Sequence, residues 1–281
     1  MEHGRWAAAE RPHLDRPVLV AAFEGWNDAG DAASLAAGWL AQRWAPGPLA
    51  DIDPEEFYDF TATRPHVEHD GEIRRIRWPA NTFTAGRAAG VDTVVLVGTE
   101  PQLRWRCFCE QVIGVAEAVG ARLVLTLGAL LAEVPHNRPT PMVASATDPD
   151  LVARLGLAPS TYEGPTGIVG VLQDACRRAG VDGASLWAAV PAYVPGAPSP
   201  KAALALVERS AEILDVPVMA TDLEIAAAAY ERQVSEVVAG DEDMAGYVGG
   251  LEDRFDEDGG EGDAASLAEE VERYLRDHPG R

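Results

Sequence analysis

Arg16-Pro17-Val18-Leu19-Val20-Ala21-Ala22-Phe23-Glu24-Gly25-Trp26-Asn27-Asp28-Ala29-Gly30-Asp31 is the stretch on which the fold turns. From Val18 to Phe23 every residue is apolar, the pattern of a central strand covered on both faces. A polar, glycine-containing loop follows over Glu24 to Asp31. Asp31 is placed to cap a helix over Ala32 to Trp44, with Leu35, Trp39 and Leu40 on one face. Strand, loop and helix in this order open a doubly wound α/β unit.

The same pattern recurs outward from that unit. Thr93 to Gly98 and Arg122 to Leu127 read as further buried strands, with a helix from Leu103 to Val119 between them that Gly120 stops. Met142 to Thr147 and Ala184 to Val190 read as strands. Asp148 to Leu155, Thr166 to Ala179 and Lys201 to Leu214 read as helices. Between Asp51 and Pro79 short segments alternate around Asp70-Gly71, a hairpin signal whose second strand, Ile73 to Trp78, is arginine-rich and suits a sheet edge. This alternation predicts an α/β fold with a mostly parallel sheet and helices on both faces. After Val218 only helices are expected, over Asp222 to Val238, Glu242 to Phe255 and Ala264 to Asp277, the last behind an acidic linker from Asp256 to Asp263. The expected division is an N-terminal extension (1–16), an α/β domain (17–220) and an acidic helical C-terminal extension (221–281).

Composition bounds the function. The chain has 281 residues, 47% hydrophobic and 24% charged, which is enough for a large core without staples. The formal net charge is −22. Residues 222–281 hold 18 Asp and Glu against 5 Arg, and the remainder holds 27 acids against 18 bases. Phosphate binding needs clustered Lys and Arg, so nucleic acid and anionic membrane are not expected partners. Lys201 is the only lysine. No apolar run approaches the ~20 residues of a spanning helix, and charges break Met1 to Arg16 where a signal peptide is apolar. The expected compartment is the cytoplasm. Cys107, Cys109 and Cys176 are odd in number, and the first two are two apart on a helix, pointing to different faces. They make neither a disulfide framework nor a zinc site.

In open α/β sheets ligands bind beyond the carboxyl ends of the strands. The residues that fall there are Glu24, Asn27, Asp28, Glu100, Arg104, His136, Asn137, Arg138, Glu163, Thr166 and Tyr193, and they form the candidate pocket. A buried Glu24 or Glu100 suits a general base. Arg104 or Arg138 suits a carboxylate or phosphate, and Gly164-Pro165-Thr166-Gly167, ahead of a helix, suits an anion. Plainer roles compete: Asn27 and Asp28 suit an Asx turn or a cap, Glu100-Pro101 suits a strand-to-helix turn, and His136 suits a hydrogen-bonding loop. There is no G-x-S-x-G elbow, no Walker loop and no H-E-x-x-H, and Gly25 to Gly30 lacks the G-x-G-x-x-G spacing. No catalytic residue, metal or cofactor is therefore assigned. The helices after Asp222 carry apolar faces such as Leu223, Ile225, Ala226 and Tyr230, suited to packing in cis or to a subunit contact.

Phe23 to Ser34, together with Arg64-Pro65, Gly98-Thr99-Glu100-Pro101, Trp105, Leu127-Gly128-Ala129-Leu130, Pro135-His136-Asn137-Arg138-Pro139, Tyr162 to Gly167 and Pro191-Ala192-Tyr193-Val194, resembles the proteasome assembly chaperone 2 family in its actinobacterial branch. The resemblance implies a three-layer α/β/α domain similar to the phosphorylase/hydrolase-like fold, a homo-oligomer with a trimer among its forms, a protein-complex partner, and no accepted enzymatic activity. Some relatives dock through a C-terminal hydrophobic-Tyr-any motif, whereas here Tyr274 follows Arg273 and the sequence ends Asp277-His278-Pro279-Gly280-Arg281. Two readings result. One is a non-catalytic assembly chaperone or scaffold. The other is a hydrolase or nucleoside-type binding enzyme, which requires Glu24, Glu100, His136 and Glu163 to share one cleft.

Overall fold

The computed structural model describes residues 5–7, 12–71, 73–146, 148–159 and 163–257. The predicted Ala264–Asp277 helix, most of its linker and Tyr162 lie outside the described residues. In chain order the elements begin with β1 (Arg5–Trp6), β2 (Val18–Glu24), α1 (Ala32–Trp44), β3 (Gly47–Ile52), β4 (His66–Asp70), β5 (Ile73–Arg77), β6 (Asn81–Ala88) and β7 (Val91–Thr99). There follow α2 (Trp105–Ala118), β8 (Leu123–Ala132), β9 (Met142–Ala146), α3 (Pro149–Leu155), β10 (Ala158–Pro159) and α4 (Ile168–Ala179). The chain continues with β11 (Gly183–Pro191), α5 (Pro200–Leu214), α6 (Thr221–Ala239) and α7 (Glu242–Glu257).

Among the described residues, nine strands form one sheet in the order β1-β3-β6-β7-β2-β8-β11-β9-β10. The centre is parallel: β2 pairs with β7 and β8, and β8 pairs with β11. On either side the pairing turns antiparallel, through β6 and β3 at one flank and β9 at the other. The three strands expected to be neighbours are neighbours, with Val18 opposite both Thr93 and Leu123.

Side-chain alternation explains why both faces are covered. Val18, Val20 and Ala22 of β2 join Val95 and Leu125 in a core roofed by α1 and α5. Leu19, Ala21 and Phe23 join Val94, Leu96 and Val124 in a second core under α2 and α4. A strand apolar at every position is the consequence of feeding two cores at once. The result is three layers, α/β/α, with α6 packed outside α5 and α7 after it.

Several local expectations need correcting. Asp31 sits in the left-handed region and its side chain caps nothing. Asp28 caps α1 instead, its Oδ1 accepting from Ala33 N at 2.7 Å and Ser34 N at 3.1 Å. Leu35 is 40% exposed, and the buried face of α1 is alanine-rich: Ala32, Ala33, Ala36, Ala37, Leu40 and Trp44. Such small side chains let the helix lie close to the sheet. The predicted hairpin forms, but β4 and β5 make a separate two-stranded ribbon and not an edge of the main sheet. The main sheet recruits β3 and β6, which the sequence reading did not identify as strands.

Candidate functional site

The carboxyl ends of the parallel strands carry two hydrogen-bonded groups. The first is centred on Glu100, just past β7. Its Oε1 accepts from Asn27 Nδ2 at 2.9 Å and from Ile168 N, the first residue of α4, at 2.9 Å. Its Oε2 faces Trp26 N at 3.4 Å. The anion at the N-terminus of α4 is thus a carboxylate from this same chain, and not a ligand. Asn27 is buried, and its backbone carbonyl accepts from Ala129 N at 2.8 Å, tying the loop after β2 to β8. A Cβ on Gly167 would stand 2.7 Å from Asn27 Nδ2, so glycine is needed for this close approach. Asp28 is buried beside Asn27. Burial pushes its carboxyl up from the ordinary value, opposed by the bonds from Ser34 and Ala33.

The remaining candidates on this side are exposed. Glu24 meets the Thr99 hydroxyl at 3.4 Å. Arg104 begins α2 in the left-handed conformation and pairs with Glu56, outside the sheet rim. Glu163 and Thr166 are exposed on the approach to α4. Beneath Thr99 lies a pair the sequence reading did not single out: Tyr58 donates to the Thr99 carbonyl at 2.5 Å, and Asn81 Nδ2 donates to the Tyr58 hydroxyl.

The second group is centred on His136, beyond β8. It is buried, with Nδ1 2.8 Å from the Tyr193 hydroxyl and Nε2 2.8 Å from Ser235 Oγ. The Tyr193 hydroxyl also accepts from the His136 backbone N–H at 2.8 Å, so it meets this residue at both main chain and ring. Lys201 donates to the His136 carbonyl at 2.7 Å and pairs with Glu231 of α6. Burial, with Lys201 nearby, holds the imidazole below its ordinary pKa. Asn137 donates to Glu252 at 2.8 Å, and Arg138 forms a two-pronged pair with Asp256 at 2.8 and 2.7 Å. This group therefore fastens α6 and α7 to the rim.

The hydrogen bonds do not join Glu24, Glu100, His136 and Glu163 into one group. Glu100 and His136 anchor different groups, and Glu24 and Glu163 are exposed. Beside His136 the cavity holds only about 10 Å³, room for a single water. A wider groove of about 490 Å³ runs between Gly25–Asp31 and the Pro195–Pro198 loop, and Asp28 and Asp31 are its charged lining. Lys201, Glu231, Ser235, Tyr58 and Asn81 are the rim residues that sequence reasoning missed. Lys201 alone carried a signal, as the single lysine in the chain. Among the described residues, no three His, Cys, Asp or Glu side chains gather to hold a metal ion. No described helix is long and apolar enough to cross a membrane.

The family model for PAC2 matches residues 22–238, from the end of β2 through α6. The chain belongs to the PAC2 family. This PAC2 chain is 46% identical to a PAC2 family protein from Streptomyces avermitilis, with a TM-score of 0.77 over 83% of this chain and 99% of that one. It is 44% identical to a proteasome-assembly chaperone homologue from Mycobacterium tuberculosis, with a TM-score of 0.74 over 82% of this chain and 99% of that one. A Mycobacterium tuberculosis protein of unknown function is 27% identical, with a TM-score of 0.86 over 100% of this chain and 98% of that one. That last alignment extends across α7, which the PAC2 family model does not reach. Comparison with curated proteins gives no match.

Proposed function

We propose that this PAC2 chain is a non-catalytic, homo-oligomeric protein of assembly-chaperone or scaffold type, working in the cytoplasm on a protein complex. The observation that carries the reading is its 44% identity with a proteasome-assembly chaperone homologue, over 99% of that chain. The rim chemistry supports it. The polar groups one would ask to catalyse are occupied in holding elements together: Glu100 joins three segments, and His136 holds α6. In this reading 17–220 is the working α/β domain and 221–281 an acidic extension that begins with α6 and α7.

Affinity capture of the full chain from its native cell tests the proposal. Proteasome subunits are expected in the eluate above a mock capture. Turnover of an ester, phosphoester or nucleoside by the purified chain, abolished by Glu100→Gln, would overturn it in favour of an enzyme.

A further inference from the structure

Ten large hydrophobic side chains are exposed among the described residues, and eight of them fall in two places. Val67, Ile73, Ile76 and Trp78 lie on the β4–β5 ribbon or directly after it. Met219, Ile225, Val237 and Tyr247 lie on α6, on α7 or just before them. Val67 stands opposite Ile76 in the ribbon register, so one ribbon face presents a paired apolar spot.

The two places differ in charge. Residues 64–77 hold four Arg against three Asp and Glu, with three of the Arg in the five positions of β5 and Arg77 paired with Glu68. Residues 221–257 hold eleven Asp and Glu against two Arg. The ribbon is also short of support: β5 is exposed at every position, and a two-stranded hairpin alone is marginal in water.

The positions suit contact between copies. The ribbon leads into β6 at Asn81, which pairs with Gly98 near the carboxyl end of β7. The helical pair is fastened beyond the carboxyl end of β8. Both surfaces thus belong to the same rim, and β6 and β8 are three places apart in the sheet, about 14 Å at the usual strand spacing.

We propose that the β4–β5 ribbon of one copy docks on the α6–α7 pair of a second copy, apolar spot on apolar spot and arginine against carboxylate. The proposal rests on the homo-oligomer reading above and names its contact. A contact between two different surfaces runs head to tail, and it closes into a ring when the rotation permits.

Mass by light scattering at micromolar concentration tests it on the full chain. One variant carries Ile73→Asp with Ile76→Asp, the other Ile225→Asp with Val237→Asp. All four positions are exposed in the single chain, so both variants are expected to stay folded, with the far-UV circular dichroism of the wild type. Each alone should fall to the 29.9 kDa monomer. Mixed, they retain one intact surface of each kind and should form a 1:1 pair of twice that mass and nothing larger. Where an aspartate variant unfolds, Arg74→Glu with Arg75→Glu replaces the ribbon variant under the same expectation. A monomeric wild type sinks both the homo-oligomer reading and this contact. An oligomeric wild type whose helix variant stays oligomeric, or whose two variants fail to pair on mixing, overturns the contact alone.

Discussion

Glu100 shows how a carboxylate in a loop can be structural. Hydrogen bonds to a charged group contribute roughly 1.5–3 kcal/mol each, net of the bonds to water they replace. Glu100→Ala strands the amide of Asn27 and the N–H of Ile168, and a loss of about 2–3 kcal/mol in urea unfolding is expected. An unchanged midpoint would remove Glu100 from this role. His136 gives a pH dependence. Its folded-state pKa lies below the ordinary 6.5, so between those two values the unfolded chain binds the proton that the folded chain refuses. Its contribution to stability is therefore complete above 6.5 and is lost as pH falls toward the folded value. Melting at pH 7.5 and 5.5 should show a drop that His136→Gln reduces, and an equal drop in the variant would assign the effect elsewhere. Asp28 and Asp31 mark the limit of sequence reading at this scale. Both suit a cap, and only the turn through Gly30, which leaves Asp31 left-handed, decides for Asp28.

At the scale of elements, β2, β7, β8 and β11 were legible because a strand feeding two cores has no polar alternation to confuse it. Strands β3 and β6 were not. β3 opens with Gly47-Pro48, and proline argues against a strand, while β6 carries Asn81, Thr82, Thr84 and Arg87 among its eight residues. They are strands because the flank beyond β7 needs partners, a fact about the sheet and not about their own residues. Gly128 in β8 lies under the Trp187 ring of β11, where an added Cβ would stand 2.6 Å from the ring. Gly128→Ala should cost about 1–3 kcal/mol by overpacking, read as a lower thermal midpoint with the fold retained. The attachment of α7 has a different signature. Removing the Arg138 pair with Asp256 should speed hydrogen exchange across 242–257 and leave β2 and β8 protected. Faster exchange throughout the sheet would mean that the helix is part of the core's cooperative unit.

At the scale of the whole molecule, alternating strands and helices were enough to give the three-layer architecture, and the composition gave the acid excess. The two rim groups were not legible, because Ser235 and Glu231 lie some hundred positions from His136 in one case and thirty from Lys201 in the other. Spacing carries no trace of such meetings. A net charge of −22 makes the compact state repel itself. The thermal midpoint should therefore rise as sodium chloride goes from about 10 mM to about 150 mM, where the screening length shortens to roughly 8 Å. A falling midpoint would show that the surface ion pairs outweigh the repulsion.

Lys201 leaves one more consequence. Its side chain is only 15% exposed and is held by a carbonyl and a carboxylate. Amine-directed chemistry, whether a cross-linking reagent or an enzyme that joins a tag to lysine side chains, has this one ε-amine to use within the folded chain. The modification must first pry α6 away from the loop after β8. Labelling at that amine is therefore a clock for local opening, and its rate should level off at the rate of helix detachment once the reagent is concentrated enough to outpace reclosing.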